Sequence, residues 1–192
     1  MRVQFSLFGA AAVEPSVGDL DGVLLAGGHW ARNGGTARLS VVVDAQWRAD
    51  ALCGIFTQLG VGGGDEEIVS AAGGLAVRTS FSPWLAAHAA RWTRGANAAV
   101  PHNFALGPVG LRIWAITAGH RDAAGYLLAT GERPDAIHPA AGAQLAKLGL
   151  TAVSLTHRAG GPAWRIISAK RLRRLAELLG EPPSGAATNW PC

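Results

Sequence analysis

The chain has little charge and almost no lysine. Of its 192 residues 16% are charged and 49% hydrophobic, the balance of a globular protein long enough to bury a sizeable core and short enough to form one domain. Only Lys147 and Lys170 are lysine among 17 cationic residues, against 13 acids, for a net charge of +4 and a pI near 9.8. Cysteine is equally scarce: Cys53 falls in an amphipathic stretch and Cys192 at the terminus. Such a pair lacks metal-ligand spacing and implies neither a disulfide scaffold nor a cofactor. Although the mean hydropathy is +0.20, every apolar run is broken by Gly, Asp, Arg or His well short of a membrane span, so no transmembrane helix and no membrane partner are expected. Residues Met1 to Phe8 alternate loosely, as a strand would, without the architecture of a signal peptide or of an Arg/Ser-rich leader.

What is present is repetition. Leu20-Asp21-Gly22-Val23-Leu24-Leu25-Ala26-Gly27-Gly28 and Leu111-Arg112-Ile113-Trp114-Ala115-Ile116-Thr117-Ala118-Gly119 each read as an apolar helix ending in glycine, with Gly27 and Ala118 at equivalent places 91 residues apart. Internal repetition bounds the architecture before any other signal. After the first copy, Thr36 to Val43 reads as a strand and Trp47 to Leu59, closed by Gly60, as an amphipathic helix. A further strand region leads through Val77 to Leu85, Val100-Pro101 and Leu106-Gly107-Pro108. The pattern then recurs from Gly125: a strand over Tyr126 to Thr130, a helix over Ala140 to Leu148 closed by Gly149, a hairpin from Ala152 to Ser168 turning at Gly160-Gly161, and a helix over Ala169 to Leu179.

Both nine-residue stretches, in this context, resemble the signature helix of the LAGLIDADG homing endonucleases in their two-repeat, single-chain form, over residues 17 to 183. In that family the eighth position is an aspartate that helps to hold the catalytic metal; here it is Gly27 in one copy and Ala118 in the other. The resemblance therefore implies a nuclease-dead scaffold with no catalytic residue and no metal. It implies an α+β fold of two pseudo-symmetric αββαββα repeats, residues 17–99 and 100–183, forming a saddle-shaped antiparallel sheet backed by helices within a single domain 1–192. A polar Pro/Gly-rich stretch, 184–192, is expected as an extended tail in which Trp190 is the anchor. The signature helices of the family pack side by side, which requires small residues on the facing stripe; Gly22 with Ala26, and Ala115 with Gly119, meet that requirement.

Arginine suits phosphate because its planar fork donates two parallel hydrogen bonds, although a GC-rich coding sequence also favours Arg, Ala, Gly and Pro. Position matters more. Arg32 and Arg38 fall on the first hairpin and Arg78 on the second, while Arg121, Arg133, Arg158 and Arg165 fall on or beside the equivalent elements of the second repeat. In the family these hairpins straddle a nucleic-acid duplex, so these arginines are the expected phosphate contacts. Lys170, Arg171, Arg173 and Arg174 share one face of an amphipathic helix whose other face carries Leu172, Leu175, Leu178 and Leu179, and are a second expected RNA contact.

Other chemistry-bearing residues have plainer readings. His29 and His120 follow the two signature motifs and open strands; Asp19 and Asp21 meet the helix dipole at the start of the first helix; Asp122 belongs to a turn. Gly62-Gly63-Gly64 and Gly73-Gly74 make turns and lack the Lys-Ser/Thr of a phosphate-binding loop. Trp30 and Trp164 lie on hairpins, where an aromatic can stack on an unpaired base, whereas Trp47, Trp84, Trp92 and Trp114 fit helix packing.

Three functions fit these residues. The first is a catalytically inactive RNA-binding protein, not an enzyme, serving as a structural subunit of a large ribonucleoprotein: an organellar ribosome, in a mitochondrion rather than a chloroplast, with rRNA and neighbouring proteins as partners. The second is a maturase-like splicing factor bound to one intron RNA. The third, a residually active DNA homing endonuclease using displaced acids, is opposed by Gly27, Thr117 and Ala118, which leave neither helix end a carboxylate.

Overall fold

Ser16 opens the first helical region with a capping box, its backbone N–H and its hydroxyl donating to Asp19 Oδ2 at 2.9 and 2.7 Å. In the computed structural model, which describes residues 13–62, 67–95, 97–131 and 136–191, a 3-10 turn over Val17–Leu20 runs into α1 (Asp21–Leu25), buried along its whole length. Gly27 ends this helix at φ 98°, a conformation that costs a side chain energy and glycine none.

There follow β1 (His29–Asn33), β2 (Thr36–Val43), α2 (Gln46–Gln58), β3 (Ile68–Ala71), β4 (Gly74–Arg78) and α3 (Pro83–Arg91). A short hairpin of β5 (Thr93–Arg94) and β6 (Asn97–Ala98) leads to α4 (Pro108–Ala118), β7 (Gly119–Asp122), β8 (Gly125–Ala129), α5 (Ile137–Lys147), β9 (Val153–Leu155), β10 (Ala163–Ile166) and α6 (Ala169–Leu179). The fold is thus mixed, of helices and antiparallel sheets. One four-stranded sheet has the order β1-β2-β4-β3 and the other β7-β8-β10-β9.

Each sheet turns one face to the common core, because alternate side chains along a strand point to opposite sides. In β2, Ala37, Leu39, Val41 and Val43 are buried, while Arg38 and Val42 point away. In the second sheet Tyr126, Leu128 and Ile166 enter the same core as α1, α2 and α4. Fully burying each large apolar side chain contributes about 1.5–3 kcal/mol.

Helices α1 and α4 do pack on each other, and Gly22 is where they touch: a Cβ there would lie 2.1 Å from the Gly110 carbonyl oxygen and 2.8 Å from the Trp114 nitrogen. Gly22 meets the expectation, but its partners lie one turn earlier in α4 than the expected Ala115 and Gly119. Gly119 instead makes room for the Tyr126 hydroxyl, 2.3 Å from where its Cβ would stand, and Ala26 is only half-buried at the helix end.

Two helices start earlier than their hydrophobic pattern predicts. Helix α4 begins at Pro108, whose fixed φ suits the first helical position. Helix α5 begins at Ile137, and Pro139 falls in its first turn, where a missing N–H costs nothing. The end of the chain is tied back rather than extended: Ala186 and Trp190 are buried, Trp190 Nε1 donates to the Gly180 carbonyl at 2.8 Å, and Arg112 lies over the Trp190 ring while donating to the carbonyls of Leu179 and Glu181. Met1 to Phe8, Arg133 and Cys192 lie outside the described residues.

Candidate nucleic-acid interface

The helix ends come first, because there the family would place its metal-binding acids. At the end of α1, Gly27 stands against Gly131: a Cβ on Gly27 would lie 2.9 Å from Gly131 Cα, and one on Gly131 only 2.2 Å from Gly27 Cα. The Gly131 N–H donates to the Leu25 carbonyl at 3.3 Å, so a segment following β8 closes the last turn of α1. An aspartate at position 27 would require both a strained φ and a backbone shift.

The end of α4, next to Ala118, is closed by different chemistry. Arg48, 4% exposed on α2, donates to the carbonyls of Ala115 at 3.3 Å, Ile116 at 2.6 Å and Gly119 at 2.7 Å, and through Nε to Asp44 at 2.8 Å. A helix C-terminus leaves carbonyls without partners and carries partial negative charge; a guanidinium satisfies both demands. It also fixes a positive charge where a metal ion would need the opposite. Arg48 was not singled out from the sequence, yet it had a signal: it shares the i, i+4, i+8 stripe with Leu52 and Phe56, which is otherwise apolar.

Asp19, Asp21 and Asp122, the acids that could serve as displaced ligands, are all engaged. Asp19 forms the capping box. Asp21, 3% exposed, accepts from Trp92 Nε1 at 2.7 Å, and His88 Nε2 lies 2.7 Å from the same oxygen. Asp122 pairs with Arg165 Nη2 at 2.5 Å and accepts from the Ala124 N–H at 2.9 Å. Burial pushes the Asp122 carboxyl upward, but that N–H and the guanidinium outweigh it and hold it below the ordinary carboxylate value. Burial, aided by Glu67, pushes the Cys53 thiol up to about 12, which disfavours the reactive thiolate at neutral pH. Among the described residues no group of three or more His, Cys, Asp or Glu side chains is placed to hold a metal, and no helix is long and apolar enough to cross a membrane.

The outward faces of the two sheets are built on one plan with different side chains. In the first, His29, Ser40 and Arg78 stand side by side across β1, β2 and β4; in the second, His120, Leu127 and Arg165 take the corresponding places. Arg38 lies diagonally from Arg78, and none of β1 to β4 contains an acid. The second face is apolar, with Leu127, Leu155 and Ala163 buried in a small cluster of their own, and its Arg165 is neutralised by Asp122.

The predicted cations are therefore not one surface. Arg38 and Arg78 share the outward face of the first sheet. Arg32 pairs with Ala37 in register and so belongs to the opposite side, exposed near the hairpin turn. Arg121 pairs with Tyr126 and alternates away from His120. Arg158 sits in a 3-10 turn over His157–Ala159 rather than on a strand. Lys170, Arg171, Arg173 and Arg174 ride on α6, which seats Leu175, Leu178 and Leu179 in the core and packs on α4; Arg174 lies 3.7 Å from Glu177.

The aromatics also depart from expectation. Trp30 is half-buried, edge-on to His88 at 5.8 Å. Trp164 stacks on His138 at 4.7 Å and donates to its carbonyl at 3.0 Å. Neither is open for a base. Trp92 and Trp114 are core, as expected, but Trp84 is 80% exposed and is no packing residue. Ser82 caps α3 and Pro83 takes its first position, which puts Trp84 on the outer side of the first turn; Ser-Pro-Trp was the signal for this.

Compared with models of known protein families and with curated proteins, the chain matches none.

Proposed function

We propose that this chain is a catalytically inactive, LAGLIDADG-like RNA-binding protein serving as a structural subunit of a large ribonucleoprotein, with a mitochondrial ribosome as its setting. The observation that carries the proposal is the outward face of the first sheet, where Arg38, Ser40, His29 and Arg78 lie together and no strand contributes an acid. Diagonal neighbours on one face stand about 7–8 Å apart, a spacing at which two guanidinium groups can each take a phosphate oxygen. Further support comes from the helix–strand–strand–helix–strand–strand–helix order, which occurs twice with the same strand order in each sheet. In this reading the two sheets are the halves of a saddle, and the duplex is gripped by shape and backbone, as A-form RNA requires.

The closed helix ends support the loss of cleavage. Gly27 meets Gly131, and Arg48 occupies the carbonyls beside Ala118.

Crosslinking in native extract, isolation of the protein and sequencing of the attached nucleic acid test the reading directly. Reads concentrated on rRNA are expected. Reads on one intron would replace the ribosomal setting by a maturase-like role, and recovery of DNA alone would overturn the RNA assignment.

A further inference from the structure

Phe81 and Trp84 are large apolar residues that the fold leaves in solvent, 41% and 80% exposed. Aromatic side chains normally bury most of their surface, so two of them within one turn of each other call for an occupant. Their placement is fixed by the backbone. Ala37 and Ser82 exchange hydrogen bonds, Ala37 N–H to Ser82 O at 3.1 Å and Ser82 N–H to Ala37 O at 2.9 Å, extending the β2–β4 pairing beyond Arg78. Ala37 faces the core, so its neighbour Arg38 and the facing Phe81 share the outward side, and the Arg38 guanidinium carbon lies 4.6 Å from the Phe81 ring centroid. Immediately afterwards Ser82 Oγ accepts from the Trp84 N–H at 3.2 Å, and Pro83 fixes the first helical φ. The Phe81-Ser82-Pro83-Trp84 corner is thereby held without help from a partner.

We propose that this corner is a stacking site for an unpaired RNA nucleotide, with Phe81 and Trp84 as the platform for the base and Arg38, backed by Arg78, as the ligand of the adjoining phosphate. This rests on the RNA-binding reading above and adds the kind of nucleotide the face selects. Paired bases are stacked within a helix and offer only their edges; a bulged or overhanging base offers a π-face that aromatic side chains accept whatever its identity. The charge of the patch favours a nucleotide over a protein segment, because Arg38 lies on the Phe81 ring and β1 to β4 carry no acid. The site lies past the end of the β2–β4 ladder, beside the Ala37–Ser82 bridge.

The test compares two RNAs of about 16 base pairs, a length that spans two successive minor grooves. One is blunt; the other carries a single bulged 2-aminopurine. Wild type is expected to bind the bulged RNA about tenfold more tightly than the blunt one, with quenching of the 2-aminopurine fluorescence. Trp84→Ala, at a position too exposed to disturb the core, is expected to abolish both the preference and the quenching while keeping blunt-duplex affinity; Phe81→Ala is expected to do the same. Equal binding of the two RNAs by wild type overturns the proposal while leaving RNA binding intact, and so does a preference that survives both substitutions. Failure of wild type to bind either RNA overturns the RNA-binding reading itself, and a protein that then copurifies with wild type but not with Trp84→Ala assigns the corner to protein docking instead.

Discussion

Arg48 is the residue on which most depends. Its guanidinium is buried and serves two carbonyls of α4 and that of Gly119 just past it, and removing a partner from a buried acceptor costs about 1–3 kcal/mol per group. Arg48→Met is expected to lower unfolding stability by about 3 kcal/mol in urea titration, whereas Arg78→Met, on the outward face, is expected to change it by less than about 0.5 kcal/mol. Gly27→Asp places a carboxylate at the end of α1. It is expected to cost about 1–3 kcal/mol because of its positive φ, and to yield no Mg²⁺-dependent cleavage of duplex DNA or RNA in a gel assay. His138 bonds Thr130 and Ser154 at 3.0 and 2.8 Å, and burial lowers its pKa below the ordinary 6.5. The unfolded chain therefore takes up a proton first as the pH falls. The contribution of His138 is complete above 6.5 and is lost as the pH drops from there through the lower folded value; NMR titration should place its midpoint below 6.5, and His138→Gln should flatten the fall in stability over that interval.

At the scale of elements, the crossing of α1 and α4 leaves no room at Gly22. Gly22→Ala is expected to force the helices apart and to cost at least about 1–3 kcal/mol, read as a lower thermal midpoint. Much of this level was legible in the sequence. Helix α6 runs from Ala169 to Leu179 as its leucine stripe dictates, and Gly60 and Gly149 mark the ends of α2 and α5 at φ 68° and 77°. What was not legible is non-local. The Arg48 cap spans 67 to 71 residues and the Asp21–Trp92 bond 71, and no local spacing encodes such a meeting. Trp84 was misread because hydrophobicity alone assigned it to packing, although its cap and proline were in view.

For the whole molecule the two sheet faces, similar in plan, differ in charge. The candidate site was legible only in part, since the sequence supplied Arg38 and Arg78 but gave no reason to separate them from Arg165, whose partner Asp122 lies 43 residues away. Salt dependence distinguishes them. Each of Arg38→Ala and Arg78→Ala is expected to weaken RNA binding and to reduce the slope of log K against log salt by about 1, while Arg165→Ala, whose charge is already compensated, should leave the slope unchanged. Filter binding at several salt concentrations measures all three.

The closures of α1 and α4 also bear on how the protein is made. Arg48 leaves the ribosome long before the carbonyls of α4 that it serves, and α1 long before Gly131. A nascent chain that has emerged only through the first sheet holds an Arg48 guanidinium with Asp44 but none of its three carbonyls to receive it, and an α1 whose Leu25 carbonyl still lacks the Gly131 N–H. The early half can complete these two closures only once the late one has emerged.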